Sequence, residues 1–546
     1  MAFADVQMVY YLCTNKDPTT IDTPSYMKSK LLAFSFALLA LSCGDPVETD
    51  PAETPGPALV STSPADGSGG IVTASQTIVF TFDQNIACTP EGQKGVSVDG
   101  GAFLDRVSPS GTDLTVVVAG LNRGSRYTVT LPAGTVRGYK QNQKASEAIT
   151  YRFSTKEPDP GPEPGTWESA ASAVRNMGAG WNLGNTLDTN SGSTENMWLE
   201  AYTDRTPVRY ETGWGQSVTT RQLIHMFKEA GFNAIRVPVT WYPHMGTIEV
   251  TSYQDENGDW RGRWDKSTWT GFDVDPAWMA RVKEIVDYVI DEGMYCIVNV
   301  HHDTGDRGED MKGTAWLVAD KFDEAKDRYA ALWGQIAETF KDYGEHLLFE
   351  SYNEMLDSYN SWCFASFASP SRYDAEVARS AYAGINSYAD LFVRSVRATG
   401  GNNEVRNLVV NTYGACSGDG TWNTHLKEPL TQFQIPEAPG HIAVQVHSYW
   451  DAEKFAEQKA DIDRLFTNLD EHLVRRLGVP VIIGEWGGGS NVDTDAGVQF
   501  AGYFSQKAKE AGVAAFYWMC LSDGQDRSVP TWTTPRMKDA ILKPYL

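Results

Sequence analysis

The chain has 546 residues, 41% hydrophobic and 21% charged, with 70 acidic against 46 basic side chains and a formal net charge of −24. That length exceeds one ordinary domain. The acid excess excludes a polyanionic partner such as nucleic acid, which is held by clustered Lys and Arg, and instead keeps a secreted protein soluble.

In chain order, residues 1–26 fit no structural pattern and read as an upstream or non-native extension. "MKSKLLAFSFALLALSC" (Met27–Cys43) has the form of a secretory signal. Lys28 and Lys30 supply its positive start, and the apolar run Leu31–Leu41 is too short to cross a bilayer. Its "ALSC" ending resembles a bacterial lipobox, in which the cysteine is acylated. Cys43 is therefore the expected lipidation site of a cell-surface or periplasm-facing lipoprotein that meets the membrane through its lipid alone. Residues 44–57, rich in Pro and acidic side chains, cannot form a core and read as a tether.

From 58 to 156 the chain shows short alternating runs separated by Gly, Asp and Asn turns. "TIVFTF" puts Ile78, Phe80 and Phe82 on one face. This is the pattern of a small all-β sandwich. "SPADG" and "LPAGTV" resemble bacterial immunoglobulin-like domains; with no His/Glu pair or aromatic cluster in view, a spacer role is the favoured reading and carbohydrate binding the alternative. Residues 157–166, "EPDPGPEPGT", form a Pro-rich, semi-rigid linker.

From 167 to 546, where all 17 tryptophans lie, eight strand-like runs alternate with helical stretches. They are "GAGWNLG", "NAIRVPV", "MYCIVNV", "HLLFESY", "NLVVNTY", "IAVQVHS", "VPVIIGE" and "AAFYWM". That order predicts a (β/α)8 TIM barrel. A doubly wound sheet is the alternative, weakened by the lack of any Gly-rich phosphate loop after an early strand. One helix is predicted in detail, with Asp275 as N-cap, Pro276 at N1, an apolar face of Val282, Ile285, Val286, Val289 and Ile290, and Gly293 after its end.

Barrel enzymes carry their chemistry at the carboxyl ends of the strands. Those tips bear Asn182 and Asn185, then Arg236, then Asn299, His301, His302 and Asp303. Next come Asn353 and Glu354, Tyr413, His447 and Tyr449, Glu485 and Trp486, and finally Trp518. Glu354 and Glu485, on strands four and seven, face each other across the mouth. A carboxyl pair of this kind cleaves a glycosidic bond, one donating a proton and the other attacking carbon or activating water; retaining enzymes hold the pair ~5 Å apart and inverting ones ~6.5–9.5 Å.

"WNLGNTLD", "GFNAIRVPVTW", "VNVHHD", "SYNEM", "VHSYW" and "IIGEWG" resemble, in order, the motifs of glycoside hydrolase family 5. The resemblance implies a retaining endo-acting hydrolase of β-1,4-glucan (cellulose-type, mixed-linkage or xyloglucan), with Glu354 as acid/base and Glu485 as nucleophile. It implies substrate-binding roles for Asn182, Arg236, His301, His302, Asn353, His447, Tyr449 and Trp518. Arg236 is expected beside the nucleophile, lowering its pKa, and Tyr449 as a hydrogen-bond donor to it. The alternatives are the same fold acting on β-mannan or xylan, and a surface glycan-binding protein without turnover. No cofactor or metal and a monomeric state are expected.

The chain departs from the family pattern at Met355, where proline usually follows the acid/base, and at Ser351-Tyr352. "ETGWGQSVTT" (Glu211–Thr220) resembles the branch that includes β-1,4-glucanases and xyloglucanases. An insert from Thr251 to Asp273 brings Trp260, Trp264 and Trp269 and is expected to build substrate subsites. Among seven cysteines, Cys296 and Cys520 read as small core residues, while Cys363 and Cys416 fall in predicted loops and are a candidate disulfide.

Overall fold

Alternation decides the amino-terminal domain. In the strand Ser75–Phe82 every second side chain from Ile78 onward is buried. A computed structural model describes residues 54–71, 75–139, 143–157, 166–304, 313–358, 373–418, 425–438, 440–489 and 493–546. The signal-like segment with Cys43, most of the tether and linker, and Cys363 lie outside the described residues. Strands Leu59–Ser63, Ser75–Phe82, Asp113–Ala119 and Phe103–Ser110 make one sheet in that spatial order. Ser68–Ile71, Ile149–Thr155, Arg126–Leu131 and Ser97–Val98 make the second. The inner faces meet in one apolar cluster around Ile78, Phe80, Val116, Tyr127, Val129 and Tyr151.

The second domain is a closed barrel of eight parallel strands. They are Ala179–Asn182, Ala234–Val237, Tyr295–Asn299, Leu347–Glu350, Leu408–Asn411, Ile442–Tyr449, Val481–Gly487 and Ala514–Tyr517. Six fall within their predicted runs, and strands six and seven continue past theirs to Tyr449 and Gly487. Their apolar residues are nearly all buried, as expected for parallel strands covered by helices outside and packed against one another inside. The helix Pro276–Asp291 is capped by Asp275, whose carboxylate accepts from Ala277 N, and Gly293 follows it at φ +70°.

The inward residues stack in layers. At the floor, Ala234, Ile297, Leu348, Val409, Ala443 and Ile482 join one cluster with Ala170, Ala173, Val174 and Met177. Those four line the apolar side of a short helix, Ala170–Met177, capped by Ser169, which closes the barrel from below. Two residues further along each strand the layer turns polar, with Asn182, Arg236, Asn299, Glu350, Asn411 and Gln445, all fully buried. Strand period fixes this step, because residues i and i+2 share a face.

Strand seven breaks that phase once. Val446 of strand six pairs with Ile483, but His447 pairs with Glu485, so Gly484 is the extra residue of a bulge. Gly484 faces inward against Gln445, where a Cβ would collide. The bulge then turns Glu485 inward as well and sends Trp486 outward, where it stacks on Phe504 at 4.5 Å.

The insert forms a hairpin, Val250–Gln254 with Trp260–Trp264. Trp264 is buried and stacks on Tyr242, and Trp269 donates its indole N–H to Met245 O beneath the Arg328 guanidinium. Trp260 alone stands out, 61% exposed. Cys416 is a buried thiol whose Sγ–H donates to Leu426 O, so it does not pair with Cys363. Cys520, expected as plain core, is disulfide-bonded to a partner outside the described residues. It sits beyond the last strand among mouth loops rather than within the strand.

Candidate active site

The polar layer is organised by one cation. Arg236 uses every N–H it has. Its Nε donates to Glu350 Oε2 at 2.7 Å and its Nη2 to Glu350 Oε1 at 2.8 Å. Nη2 also donates to Asn353 Oδ1 at 2.8 Å, and Nη1 donates to Glu485 Oε1 at 2.7 Å and Asn182 Oδ1 at 3.0 Å. Asn299 and Asn411 donate to Glu350 Oε1 from either side. A buried ion pair is stable only when its remaining lone pairs and protons are satisfied in this way.

Above that layer stand the two glutamates. Glu354 follows the fourth strand in the turn after Asn353, with its side chain 22% exposed, and Glu485 is 6% exposed on strand seven. Oxygen atoms of the two carboxylates lie within 4.8 Å of each other. His447 Nδ1 sits between them, 2.6 Å from Glu354 Oε1 and 3.6 Å from Glu485 Oε2. The Tyr449 hydroxyl donates to Glu485 Oε2 at 2.6 Å.

Charge is shared unequally. Burial pushes Glu350 upward, but its two bonds with Arg236 outweigh that and hold it below the usual carboxylate range. Glu485 is also driven up by burial. The nearby His447, Arg236 and the Tyr449 hydroxyl pull it down, Glu354 pushes it further up, and it ends above the usual range. Arg236 thus pulls the nucleophile's pKa down as expected, but burial outweighs it and the net shift is upward. The guanidinium is divided between two carboxylates, and Glu350 takes the larger share. Burial draws His447 down to about 4 and His302 to about 3, and holds His301 well below its ordinary value. All three imidazoles are therefore neutral donors and acceptors at neutral pH. Gln445 Nε2 lies 3.4 Å from His447 Nε2. An amide N–H offered there keeps the ring proton on Nδ1, facing Glu354.

The expected site residues are brought together, but not all on the cleft wall. Asn182 and Arg236 are wholly buried, and Asn182 Nδ2 spends its protons on backbone carbonyls such as Gly484 O at 2.9 Å. Their expected contact with sugar is corrected, since the strand period sets them one layer below it. Asn353 Oδ1 is held by Arg236, which turns its amide nitrogen the other way. His301 lies with Nε2 3.8 Å from Glu485 Oε1, and Trp518, 6% exposed, stands parallel to its ring at 5.8 Å. His302 has Nε2 3.9 Å from Asp188 Oδ2, with Trp214 of the Glu211–Thr220 segment tilted against it at 5.5 Å. Tyr413 is buried, its hydroxyl donating to Asp357 at 2.6 Å. Met355 is buried under the site, so the departure from proline there concerns packing and removes no reactive group.

Four site residues escaped the sequence reading, Glu350, Gln445, Asn411 and Asp188. The first three had a signal, a charged or amide side chain at an inward position of an apolar strand. Asp188 sits in the loop after strand one, accepts from Asn185 N and Thr186 N, and is pushed by burial to about 7. Among the described residues, two groups have donor atoms close enough for a cation, Asp188 with His301 and His302, and Glu354 with His447 and Glu485. The second is the carboxyl pair itself.

Two family models match the chain. Residues 199–524 match the cellulase model of glycosyl hydrolase family 5, and residues 53–155 match a bacterial Ig-like domain. Endoglucanase A of Ruminococcus albus is 31% identical over 402 residues, covering 69% of this chain and 92% of that protein. Endoglucanase B of Neocallimastix patriciarum is 31% identical over 371 residues, and the match spans 64% of each chain. The chain thus spans somewhat under two thirds of that relative's length. Among solved structures, one described as a GH5-4 broad specificity endoglucanase from an uncultured bacterium is 48% identical, with a TM-score of 0.60, covering 70% of this chain and 97% of that one. A family 5 enzyme of Prevotella bryantii, as a mutant in complex with the xyloglucan tetradecasaccharide XXXGXXXG, is 37% identical with a TM-score of 0.56, covering 70% and 99%.

Proposed function

Because the chain belongs to glycoside hydrolase family 5, we propose that it is a retaining endo-β-1,4-glucanase working by double displacement at Glu354 and Glu485. The observation that carries this is the separation of the two carboxylates, within 4.8 Å. Such a gap suits direct attack on the anomeric carbon and is too narrow for the intervening water of an inverting enzyme.

In the first step Glu485 attacks the anomeric carbon while the Glu354 carboxyl protonates the departing oxygen. The glycosyl–enzyme ester neutralises Glu485, so the strain of a buried carboxylate is relieved as the bond forms. The Tyr449 hydroxyl, which lay on Oε2, holds the same oxygen through the change. In the second step Glu354, now ionised, takes a proton from water, and water opens the ester. His447, neutral and 2.6 Å from Glu354, holds that carboxyl in place in both protonation states. Asn353, fixed by Arg236, presents its N–H to the sugar 2-hydroxyl, and His301, His302 and Trp518 form the glycone side.

The preferred glycan is a β-1,4-glucan, with xyloglucan included. The Glu211–Thr220 segment supports this by standing Trp214 against His302, and a 37%-identical relative was solved with a xyloglucan oligosaccharide. Mannan and xylan are the competing substrates. Export by Met27–Cys43 and acylation of Cys43 belong to the same reading, supported by the signal-like and lipobox-like sequence. Cys43→Ser tests the anchor by releasing the protein from membranes.

The central test is hydrolysis across a panel of glucan, xyloglucan, mannan and xylan, with proton NMR of the first product. Retained configuration and glucan preference are expected, with Glu354→Gln and Glu485→Gln both inactive on polysaccharide. Full activity in either variant, or an inverted product, overturns the assignment.

A further inference from the structure

The sandwich and the barrel meet through charged groups that both domains bury. The turn between strands Asp113–Ala119 and Arg126–Leu131 carries Arg123, which sits against the helix Pro276–Asp291. Its Nη2 donates to Asp287 Oδ1 at 2.8 Å and to Asp291 Oδ1 at 3.1 Å, with the guanidinium 5.1 Å above the Tyr343 ring. The Arg123 side chain is 11% exposed and that of Asp287 2%. Lys283 Nζ donates to Leu121 O at 2.8 Å, the Ser75 hydroxyl to Glu284 Oε1 at 2.9 Å, and the Tyr343 hydroxyl to Asp287 Oδ1 at 2.7 Å. A flexibly tethered spacer has no reason to spend an arginine and an aspartate in this way. A buried carboxylate left without its partner is strongly destabilising, so the contact holds once made.

Its position has a direction. Glu284, Asp287 and Asp291 lie in the last half of a helix whose end leads into the third strand at Tyr295, so the sandwich touches the floor side of the barrel. Catalytic residues lie at the other ends of the strands. Within the sandwich, Ser75 starts at the barrel-facing end of its strand, while Leu59 pairs with Phe82 at the far end. Seven residues of strand separate the two, about 23 Å at ~3.3 Å per residue.

We propose that the immunoglobulin-like domain is a fixed pedestal, locked to the barrel floor through Arg123, which holds the cleft facing away from the amino-terminal side of the chain. The sandwich and barrel move as one body, and the linker only closes the connection between them.

Small-angle scattering and thermal unfolding of the full chain at ordinary salt test this. The wild type is expected to scatter as one rigid particle and to melt in one transition. Arg123→Glu is expected to enlarge its maximum dimension and to split the melt in two. Asp291→Asn, on the barrel side, is expected to act in the same direction but less strongly. In both variants kcat/KM on a soluble oligosaccharide stays unchanged, since neither residue is near the cleft. Wild-type scattering that needs an ensemble of domain orientations overturns the proposal. So does an Arg123→Glu chain that scatters and melts as the wild type does.

Discussion

Arg236 and Glu350 are joined by two hydrogen bonds, 2.7 and 2.8 Å long, and neither has any exposed side-chain surface. The pair is the keel of the catalytic centre, because Arg236 also reaches Glu485 and Asn353 from the same plane. In Glu350→Gln the guanidinium loses its principal counter-charge. Breaking a buried pair costs about 3–5 kcal/mol, so the variant is expected to unfold at markedly lower urea. The whole cation then also faces Glu485, and the acidic limb of the kcat/KM profile should move to lower pH. A variant as urea-resistant as the wild type means that the pair is dispensable.

The Tyr449 hydroxyl favours the ionised form of Glu485, whose burial pushes it the other way. Tyr449→Phe removes that bond and raises the carboxyl further. Activity requires the ionised nucleophile, so the acidic limb should shift to higher pH. A hydrogen bond to a charged group is worth about 1.5–3 kcal/mol, so kcat should fall by about 10- to 150-fold if the bond persists into the transition state. An unmoved pH profile contradicts this account.

Asn182 distinguishes a buried brace from a sugar contact. It touches Arg236 and backbone carbonyls. Asn182→Ala is expected to lower kcat by about tenfold, the worth of one bond to a charged group, and to leave KM nearly unchanged. A rise in KM with kcat intact restores the direct-contact role.

Glu485 should be costly to the fold that holds it. Its folded pKa is raised, so the ionised group opposes folding once pH rises through that value. Below the unfolded value, near ~4.3 for a glutamate, both states are protonated and the cost vanishes. Glu485→Gln is therefore expected to melt higher than the wild type at pH 7, with the difference fading in acid. Equal melting temperatures at both pH values sink this prediction.

The hairpin tryptophans divide by burial. Trp264 is core and Trp260 is 61% exposed. Trp260→Ala should raise KM for long glucan while leaving short chromogenic substrates untouched, whereas Trp264→Ala should lower stability. Equal KM for the polymer means that the insert is structural throughout.

Much of this was legible in the sequence because strands announce their ends. Each barrel strand ran apolar to a polar tip, and those tips named Glu354, Glu485, His447 and Tyr449. The layer below was harder. Glu350 closes the apolar run "LLFE", and only the knowledge that a buried carboxylate needs a cation links it to Arg236 on another strand. Asn182 and Arg236 were read as wall residues because position along a strand shows the end but not the depth. Cys520 is core as read, but its disulfide was missed, because pairing depends on a cysteine distant in sequence.

Gly484 carries a consequence larger than its size. The side chains of strand seven alternate until that glycine, and its single extra step exchanges the destinations of the next two residues. Without the step, the indole of Trp486 would plug the lumen and the carboxylate of Glu485 would dissolve among greasy helices. Regular pairing with Gly484 retained would keep every catalytic side chain and undo the site, whereas deleting the glycine would restore the alternation with Glu485 still inward, one layer lower beside Gln445. Reactivity here is a matter of parity as much as of chemistry.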